Sequence, residues 1–142
     1  MSEEDLGALL AGATRRLIDE ERPLLAEHEL SMWDYVVLSR LAAAPAETQL
    51  SLARAIGYDK SRLIGLLDGL EAEGLLTRDP DPEDRRAKII TLTDAGRKRH
   101  EAARRDIRRM ERRLLAGVDA ADAARLRELL ALLSGPERPP QA

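Results

Sequence analysis

Three cationic side chains stand close together in a turn-rich segment: Arg85, Arg86 and Lys88. An acidic, proline-containing run, 79–84, precedes them, and the β-branched and apolar run 89–93 is typical of a strand. Residues 75–78 are a candidate partner strand, which would place the cations on the loop of a β-hairpin. Cations near the tip of such a hairpin are placed to reach DNA, although a surface hairpin that only packs has the same pattern.

A second polar cluster stands at the start of a predicted helix, where Lys60, Ser61 and Arg62 follow a capping Asp59. The apolar stripe of this helix points to the other side and contains Leu63, Leu66, Leu67 and Leu70. A shorter helix, capped by Thr48 and running through Ala55, precedes it, and Gly57 suits the turn between the two. Two helices with this turn, followed by a hairpin, predict a winged helix-turn-helix.

Helices are predicted on both sides of this unit. The leucine spacing of residues 4–27 favours a helix that Pro23 kinks or breaks. Ser31 and Asp34 have capping-box spacing and predict the start of the next helix. Its expected buried stripe consists of Trp33, Val36, Val37 and Leu41. The aromatic side chains of Trp33 and Tyr35 are suited either to packing in the core or to contact with a ligand.

The C-terminal part predicts two more helices, one capped by Asp94 and one over residues 120–133. The first carries a narrow apolar seam, as a helix–helix contact requires: Ala103, Ile107, Met110, Leu114 and Val118. Arginines on the flanks of this seam fit a solvated face paired with Glu101, Asp106 and Glu111, or a direct DNA contact. The tail 135–142 is predicted to be disordered.

Composition excludes several classes of function. The chain has no cysteine, which removes disulfides, thiolate metal sites and thiol redox sensing. No catalytic constellation, phosphate-binding loop, metal-ligand spacing or cofactor motif is present, so we expect neither an enzyme nor a metal protein. No apolar run reaches the length of a membrane span and the N-terminus is acidic, so we expect a cytoplasmic protein.

The charge is distributed unevenly, although the net charge is only −3. Residues 1–30 carry three arginines and eight acids, whereas residues 94–118 carry nine Lys or Arg and four acids. This asymmetry permits DNA binding without requiring it.

The order of elements and several motifs resemble the MarR family of winged-helix transcriptional regulators. Asp84-x-Arg86 followed by Leu92-Thr93 is similar to the wing pattern of that family. The run from Ser61-Arg62-Leu63 to Gly74-Leu75-Leu76-x-Arg78 resembles its recognition helix and first wing strand. The resemblance spans roughly residues 5–133.

The resemblance implies a mainly α fold with a small β-wing, in which one MarR-like domain covers residues 1–134. Residues 31–93 would form the winged helix-turn-helix lobe that binds DNA. Residues 4–28 and 94–133, from both termini, would form the dimerisation helices of a homodimer.

The resemblance also implies roles for individual residues. Arg86 would enter the minor groove, which a guanidinium suits, and Asp84 would stabilise the wing by an ion pair. The other candidate DNA-binding residues are Lys60, Ser61, Arg62, Arg85 and Lys88. Family members often sense small aromatic anions, for which Arg16, His28, Trp33 and Tyr35 are candidate ligand-binding residues.

Two functions from different classes follow. One is a repressor that binds a palindromic operator in double-stranded DNA and is released by a small effector. The other is a winged-helix protein-interaction module without specific DNA binding, which the net negative charge favours. The sequence identifies neither an operator nor an effector.

Overall fold

The computed structural model describes residues 4–44 and 47–135. It is mainly helical with a small antiparallel sheet, which confirms the predicted fold class. The elements, in chain order, are α1 (Leu6–Glu27), α2 (Met32–Ala43), β1 (Glu47–Thr48), α3 (Gln49–Ile56), α4 (Lys60–Ala72), β2 (Leu76–Pro80), β3 (Lys88–Leu92), α5 (Asp94–Leu114) and α6 (Ala120–Ser134).

The sheet has three strands in the order β1-β3-β2. The predicted hairpin is the β2–β3 pair, whose register runs from Leu76 opposite Leu92 to Pro80 opposite Lys88. The two-residue strand β1, paired through Glu47 and Ile90, was not predicted because two residues show no periodicity.

The helix starts follow from local side-chain hydrogen bonds. Ser31 and Asp34 form the predicted capping box of α2, and Thr48 caps α3 as predicted. The prediction for α5 was wrong by one residue: the Thr93 hydroxyl, rather than Asp94, accepts the Gly96 N–H at 3.0 Å. Asp94 is instead the first helical residue, where its negative charge favours the helix N-terminus.

The core is formed by leucines from α2, α3 and α4 together with residues of the sheet and α5. Leu63, Leu67 and Leu70 of the predicted α4 stripe are buried, while Leu66 is half-buried. The predicted α2 stripe was wrong at Trp33, which is 40% exposed, because Leu38 occupies the core beside Val37 and Leu41.

The predicted N-terminal helix is confirmed as α1, which contains Pro23 and continues to Glu27, so Pro23 does not break it. The predicted apolar seam of α5 was wrong at Val118. The α5 helix ends at Leu114, so Val118 lies in the turn before α6 and does not extend the helical seam. His100 belongs to the buried face of α5, together with Ala103, Ile107 and Met110.

The start of α5 is fastened to the end of the recognition-helix segment. The Thr93 hydroxyl donates to the Gly74 carbonyl at 2.6 Å, and the Thr93 N–H donates to the Leu75 carbonyl at 3.1 Å. A Cβ added to Gly96 would lie 1.9 Å from the Leu75 oxygen. The helix-turn-helix lobe is therefore joined to α5 by a close backbone contact that only glycine permits.

The terminal helices expose leucines in the single chain. Leu6 and Leu9 of α1 are exposed, and α6, all of which the structure describes, buries no residue. The predicted disordered tail lies outside the described residues except for Gly135, which caps α6.

Within residues 4–44 and 47–135, no helix is both long and apolar enough to cross a membrane. The same part of the chain holds no group of three His, Asp or Glu side chains arranged for a metal ion.

Candidate nucleic-acid interface

The exposed face of α4 carries the polar cluster predicted from the sequence. Gly57 has φ +66, the left-handed conformation that ends α3 and turns the chain towards α4. The Asp59 carboxylate accepts the Arg62 N–H at 3.0 Å and caps α4. Lys60, Ser61 and Arg62 therefore occupy the exposed first turn, opposite the buried leucines.

The wing tip is shaped by aspartates. Asp84 Oδ1 accepts the Arg86 N–H at 3.0 Å, and Asp81 Oδ1 accepts the Glu83 N–H at 2.9 Å. The ion pairs of the described residues do not include one between Asp84 and Arg86. Asp84 thus orders the backbone of the wing rather than the Arg86 guanidinium, which stays exposed.

Arg78 fastens the wing to α4. Its Nη2 lies 2.7 Å from Glu71 Oε1, and the same guanidinium contacts Asp68. Its backbone N–H also donates to Glu71, at 3.2 Å. The hydrogen bond from Arg78 lowers the pKa of the Glu71 carboxyl, which keeps this acid charged. The pairing fixes the orientation of strand β2 relative to the recognition helix.

A groove of about 650 Å³ lies between α4 and the wing. It brings together three of the predicted DNA-binding residues, Lys60, Arg86 and Lys88, with Asp84 at the same site. Ser61, Arg62 and Arg85 do not line this groove. The sequence did not indicate the remaining lining residues: Thr48, Gln49, Leu50, Ile64, Arg78 and Ala87. Of these, Thr48, Gln49 and Leu50 come from the start of α3, far from the wing along the chain.

The groove has the chemistry of a polyanion site. Lys60, Arg86 and Lys88 supply positive charge from two separate elements, which suits phosphates on both sides of a DNA groove. Gln49 supplies an amide that can donate and accept hydrogen bonds. Nothing in this arrangement resembles a nucleophile with its base, so the site is suited to binding.

An aromatic pair lies beside the recognition helix. The Trp33 and Tyr58 rings have centroids 4.4 Å apart, and the Arg62 Cζ lies 5.4 Å from the centroid of Tyr58. Tyr58 was not singled out from the sequence, because it stands in a turn where no periodicity marks a contact.

The four candidate ligand-binding residues do not share one cavity. Trp33 lines a cavity of about 690 Å³ between α1 and α2, whose single cation is Arg22 among the described lining residues. Arg16 lies in a separate hollow beside Met110 and Arg113, between α1 and α5. His28 pairs with Asp106 of α5 at 2.6 Å. The sequence could not distinguish these positions because helix packing, not spacing, separates them.

Tyr35 lines a third, smaller hollow of about 290 Å³, with His100, Arg104 and Arg108. Its ring stacks on His100 with centroids 5.4 Å apart, and Ser39 Oγ lies 3.0 Å from His100 Nε2. Burial, reinforced by Arg104 and Arg97, lowers the pKa of His100, and burial raises that of the Tyr35 phenol. Both groups are therefore held uncharged at neutral pH.

The basic flank of α5 forms ion pairs with two of the predicted acids. Arg108 lies 2.9 Å from Glu111, and Arg109 lies 3.9 Å from Asp106. Glu111 also pairs with Arg127 of α6 at 3.2 Å. These contacts support the solvated-face interpretation for these arginines.

Comparison with known proteins gives the same architecture. The MarR family model matches residues 30–88. The transcriptional repressor CouR bound to a 23-mer DNA duplex is 30% identical, with a TM-score of 0.85, over 94% of this chain and 99% of its own. CouR from Rhodococcus jostii RHA1, bound to p-coumaroyl-CoA, is 26% identical with a TM-score of 0.83, over 96% of each chain.

A third similar structure is BpsR of Bordetella bronchiseptica, whose DNA binding is regulated by 6-hydroxynicotinic acid. It is 26% identical with a TM-score of 0.83, over 94% of this chain and 95% of its own. The resemblance to the MarR family is confirmed by the family match, by the similarity to CouR over nearly the whole chain, and by the winged helix-turn-helix fold. The chain belongs to the MarR family of winged-helix transcriptional regulators and is a DNA-binding regulator rather than an enzyme.

Proposed function

We propose that the protein is a homodimeric repressor that binds a palindromic operator in the cytoplasm and is released by a small aromatic anion. The observation that carries this proposal is the groove in which Lys60, Arg86 and Lys88 converge from α4 and the wing. Cations on two elements can contact the backbone on both sides of a DNA groove.

The two elements have different roles in this proposal. The first turn of α4 enters the major groove, where Ser61 and Arg62 read base edges and Lys60 contacts phosphate. The wing lies along the minor groove, where Arg86 reads its width. Arg85 and Lys88 add phosphate contacts, and Asp84 keeps the wing tip in shape through its bond to the Arg86 N–H.

The exposed leucines of the terminal helices support the homodimer. Leu126, Leu129 and Leu130 of α6 are exposed in the single chain, as are Leu6 and Leu9 of α1. Apolar faces on two helices at the chain ends indicate a surface that a second copy covers. A two-fold dimer presents two identical lobes, which match the two halves of a palindrome.

The cavity at Trp33 supports the choice of ligand. Two of the similar regulators have known small-molecule ligands: CouR binds p-coumaroyl-CoA, and 6-hydroxynicotinic acid regulates DNA binding by BpsR. Here the cavity is lined by Trp33, by the apolar side chains of Ile18, Leu25 and Val36, and by Arg22. An aromatic ring with an anionic substituent fits both features. Arg22 therefore replaces Arg16 and His28 as the proposed charge partner.

Selection of genomic DNA fragments tests the proposed function. The purified protein is expected to enrich one palindromic sequence, and a same-length fragment without it should bind at least a thousandfold more weakly, on the order of that typical of specific regulators. Recovery of fragments without a common sequence would contradict the repressor proposal. It would favour the protein-interaction module instead.

Fluorescence of Trp33, the only tryptophan, tests the ligand cavity. Titration with 4-hydroxycinnamate or 6-hydroxynicotinic acid is expected to change the emission to saturation. Loss of the charge-assisted contact in Arg22→Gln should weaken binding about tenfold. Arg15→Gln removes an exposed arginine of the same helix outside the cavity and should not weaken it. Unchanged emission with both acids would overturn the assignment.

A further inference from the structure

A short stack of side chains connects the Trp33 cavity with the base-reading turn of α4. Trp33 lines the cavity and also contacts Tyr58, with ring centroids 4.4 Å apart and planes tilted by 41°. The Arg62 guanidinium then lies over the Tyr58 ring, 5.4 Å from its centroid. Tyr58 thus separates a proposed ligand contact from a proposed base contact.

The backbone beneath this stack is held in place. The Tyr58 N–H donates to the Ala53 carbonyl at 3.0 Å, in the motif that ends α3. The Arg62 N–H donates to the Asp59 carboxylate at 3.0 Å. These two hydrogen bonds restrain the backbone at Tyr58 and Arg62, which leaves the side chains of the stack freer than the backbone to change their contacts.

We propose that Tyr58 is a positioning residue for Arg62, and that Trp33 transmits occupancy of the cavity to Arg62 through Tyr58. This inference rests on the proposed function, which gives Arg62 its base contact and the cavity its ligand. A guanidinium over an aromatic face is attracted to it, and this attraction restricts a long side chain before DNA arrives.

The stack explains how a ligand weakens operator binding. An aromatic ligand beside Trp33 competes with Tyr58 for contact with the Trp33 ring. If Tyr58 loses this contact, Arg62 loses the ring that orients it. By thermodynamic linkage, DNA that holds Arg62 against a base edge lowers the affinity for the ligand by the same factor by which the ligand lowers the affinity for DNA.

Substitution of Tyr58 tests the positioning role on the operator that the wild-type protein selects. The measured quantity is the ratio of affinities for the operator and for a same-length DNA without it. Tyr58→Leu is expected to lower this ratio about threefold, the effect of one exposed cation–π contact, without changing non-specific affinity. Tyr58→Phe keeps the ring and should keep the ratio. An unchanged ratio in folded Tyr58→Leu, or an equal loss in both variants, would overturn the proposal.

A double-mutant cycle tests transmission without any ligand. Trp33→Leu is expected to lower the specificity ratio in the wild-type background and to have no further effect in Arg62→Gln. If the effects of the two single substitutions on the specificity ratio are additive in the double variant, Trp33 acts independently of Arg62 and the inference is contradicted.

Failure of the inference can be distinguished from failure of the proposed function. If the wild-type protein selects no operator, both fail. If it selects one and Arg62→Gln flattens base preference, but Tyr58→Leu and Trp33→Leu leave the ratio unchanged, only the inference fails. Circular dichroism of each variant identifies loss of folding, and Tyr58→Phe supplies a conservative comparison.

Discussion

At the scale of single residues, two cations of the proposed interface lie in different surroundings. Arg62 and Lys60 stand two positions apart in the first turn of α4, but only Lys60 lines the groove shared with the wing. Arg62 lies instead over Tyr58. Their positions therefore predict different effects of substitution on DNA binding.

Arg62→Ala is expected to flatten base preference within each half-site, because a good bidentate contact discriminates by roughly 1–3 kcal/mol. Lys60→Ala should weaken binding to all DNA sequences alike. It should also reduce the slope of log affinity against log salt concentration by about one. Binding of both variants to a randomised operator library at two salt concentrations measures both effects. Identical preference profiles for Arg62→Ala and wild type would exclude base contact by Arg62.

His100 predicts a pH dependence of stability. Burial is the largest cause of its lowered pKa, so the folded protein binds the proton less readily than the unfolded chain, whose pKa is near 6.5. Neutral His100 therefore contributes fully to stability above pH 6.5, and this contribution is lost as the pH falls through the pKa of His100 in the folded protein. Urea unfolding at about pH 7.5 and about pH 5.5 should show a smaller pH dependence for His100→Gln than for wild type. Equal losses in both proteins would exclude His100 as the source.

At the scale of elements, the orientation of the recognition helix depends on polar contacts made by β2 and by the residue that follows β3. Arg78 joins β2 to α4 through Glu71, and Thr93 joins the end of β3 to Gly74. Close approach at Gly96 then fixes where α5 begins. The DNA-binding lobe and the long helix α5 are consequently held in one relative position.

Gly96→Ala tests this contact. The added Cβ would lie 1.9 Å from the Leu75 carbonyl oxygen, so the backbone must move and the free energy of unfolding should fall by about 1–3 kcal/mol. Gly69→Ala is the matched control, because its Cβ would meet no atom within 4 Å and should stabilise α4 by about 0.5–1 kcal/mol. Chemical denaturation compares the two, and equal stability would show that the close approach is not rigid.

Local signals explain which elements could be predicted from the sequence. Ser31 with Asp34, Thr48 and Asp59 cap helices through neighbours within three positions, so pattern reasoning identified these starts. Contacts between distant segments left no such signal. The contact of Tyr58 with Trp33, and the presence of Gln49 in the same groove as Arg86, depend on how the elements pack after they have formed.

The candidate ligand residues illustrate the same limit. Arg16 and Arg22 stand on the same helix and are chemically equivalent, yet only Arg22 lines the cavity at Trp33. A choice between them requires the rotation of α1 against α2. The placement of the wing cations together was easier to predict, because Arg86 and Lys88 stand within two residues of each other on one short hairpin.

At the scale of the whole molecule, the terminal helices predict obligate association. Light scattering at low micromolar concentration is expected to give twice the 15.7 kDa chain mass. Replacing Leu126 and Leu130 by Asp should give unfolded or aggregated protein, because charge on the shared face prevents association. Ile64→Asp places the same charge on another exposed apolar side chain, on α4, and should keep the dimer mass. A folded monomer of the wild-type chain would contradict the homodimer.

The central claim is that α4 and the wing together hold an operator, and the wing arginine tests it most directly. The measurement is the affinity of folded Arg86→Ala for the operator selected by the wild-type protein, with A/T-rich and G/C-rich flanks. Loss of the minor-groove contact should weaken binding strongly and reduce the preference for A/T-rich flanks, while central base preferences stay nearly intact. Binding as tight as that of wild type, with unchanged flank preference, would show that the wing does not contact DNA and would contradict the account.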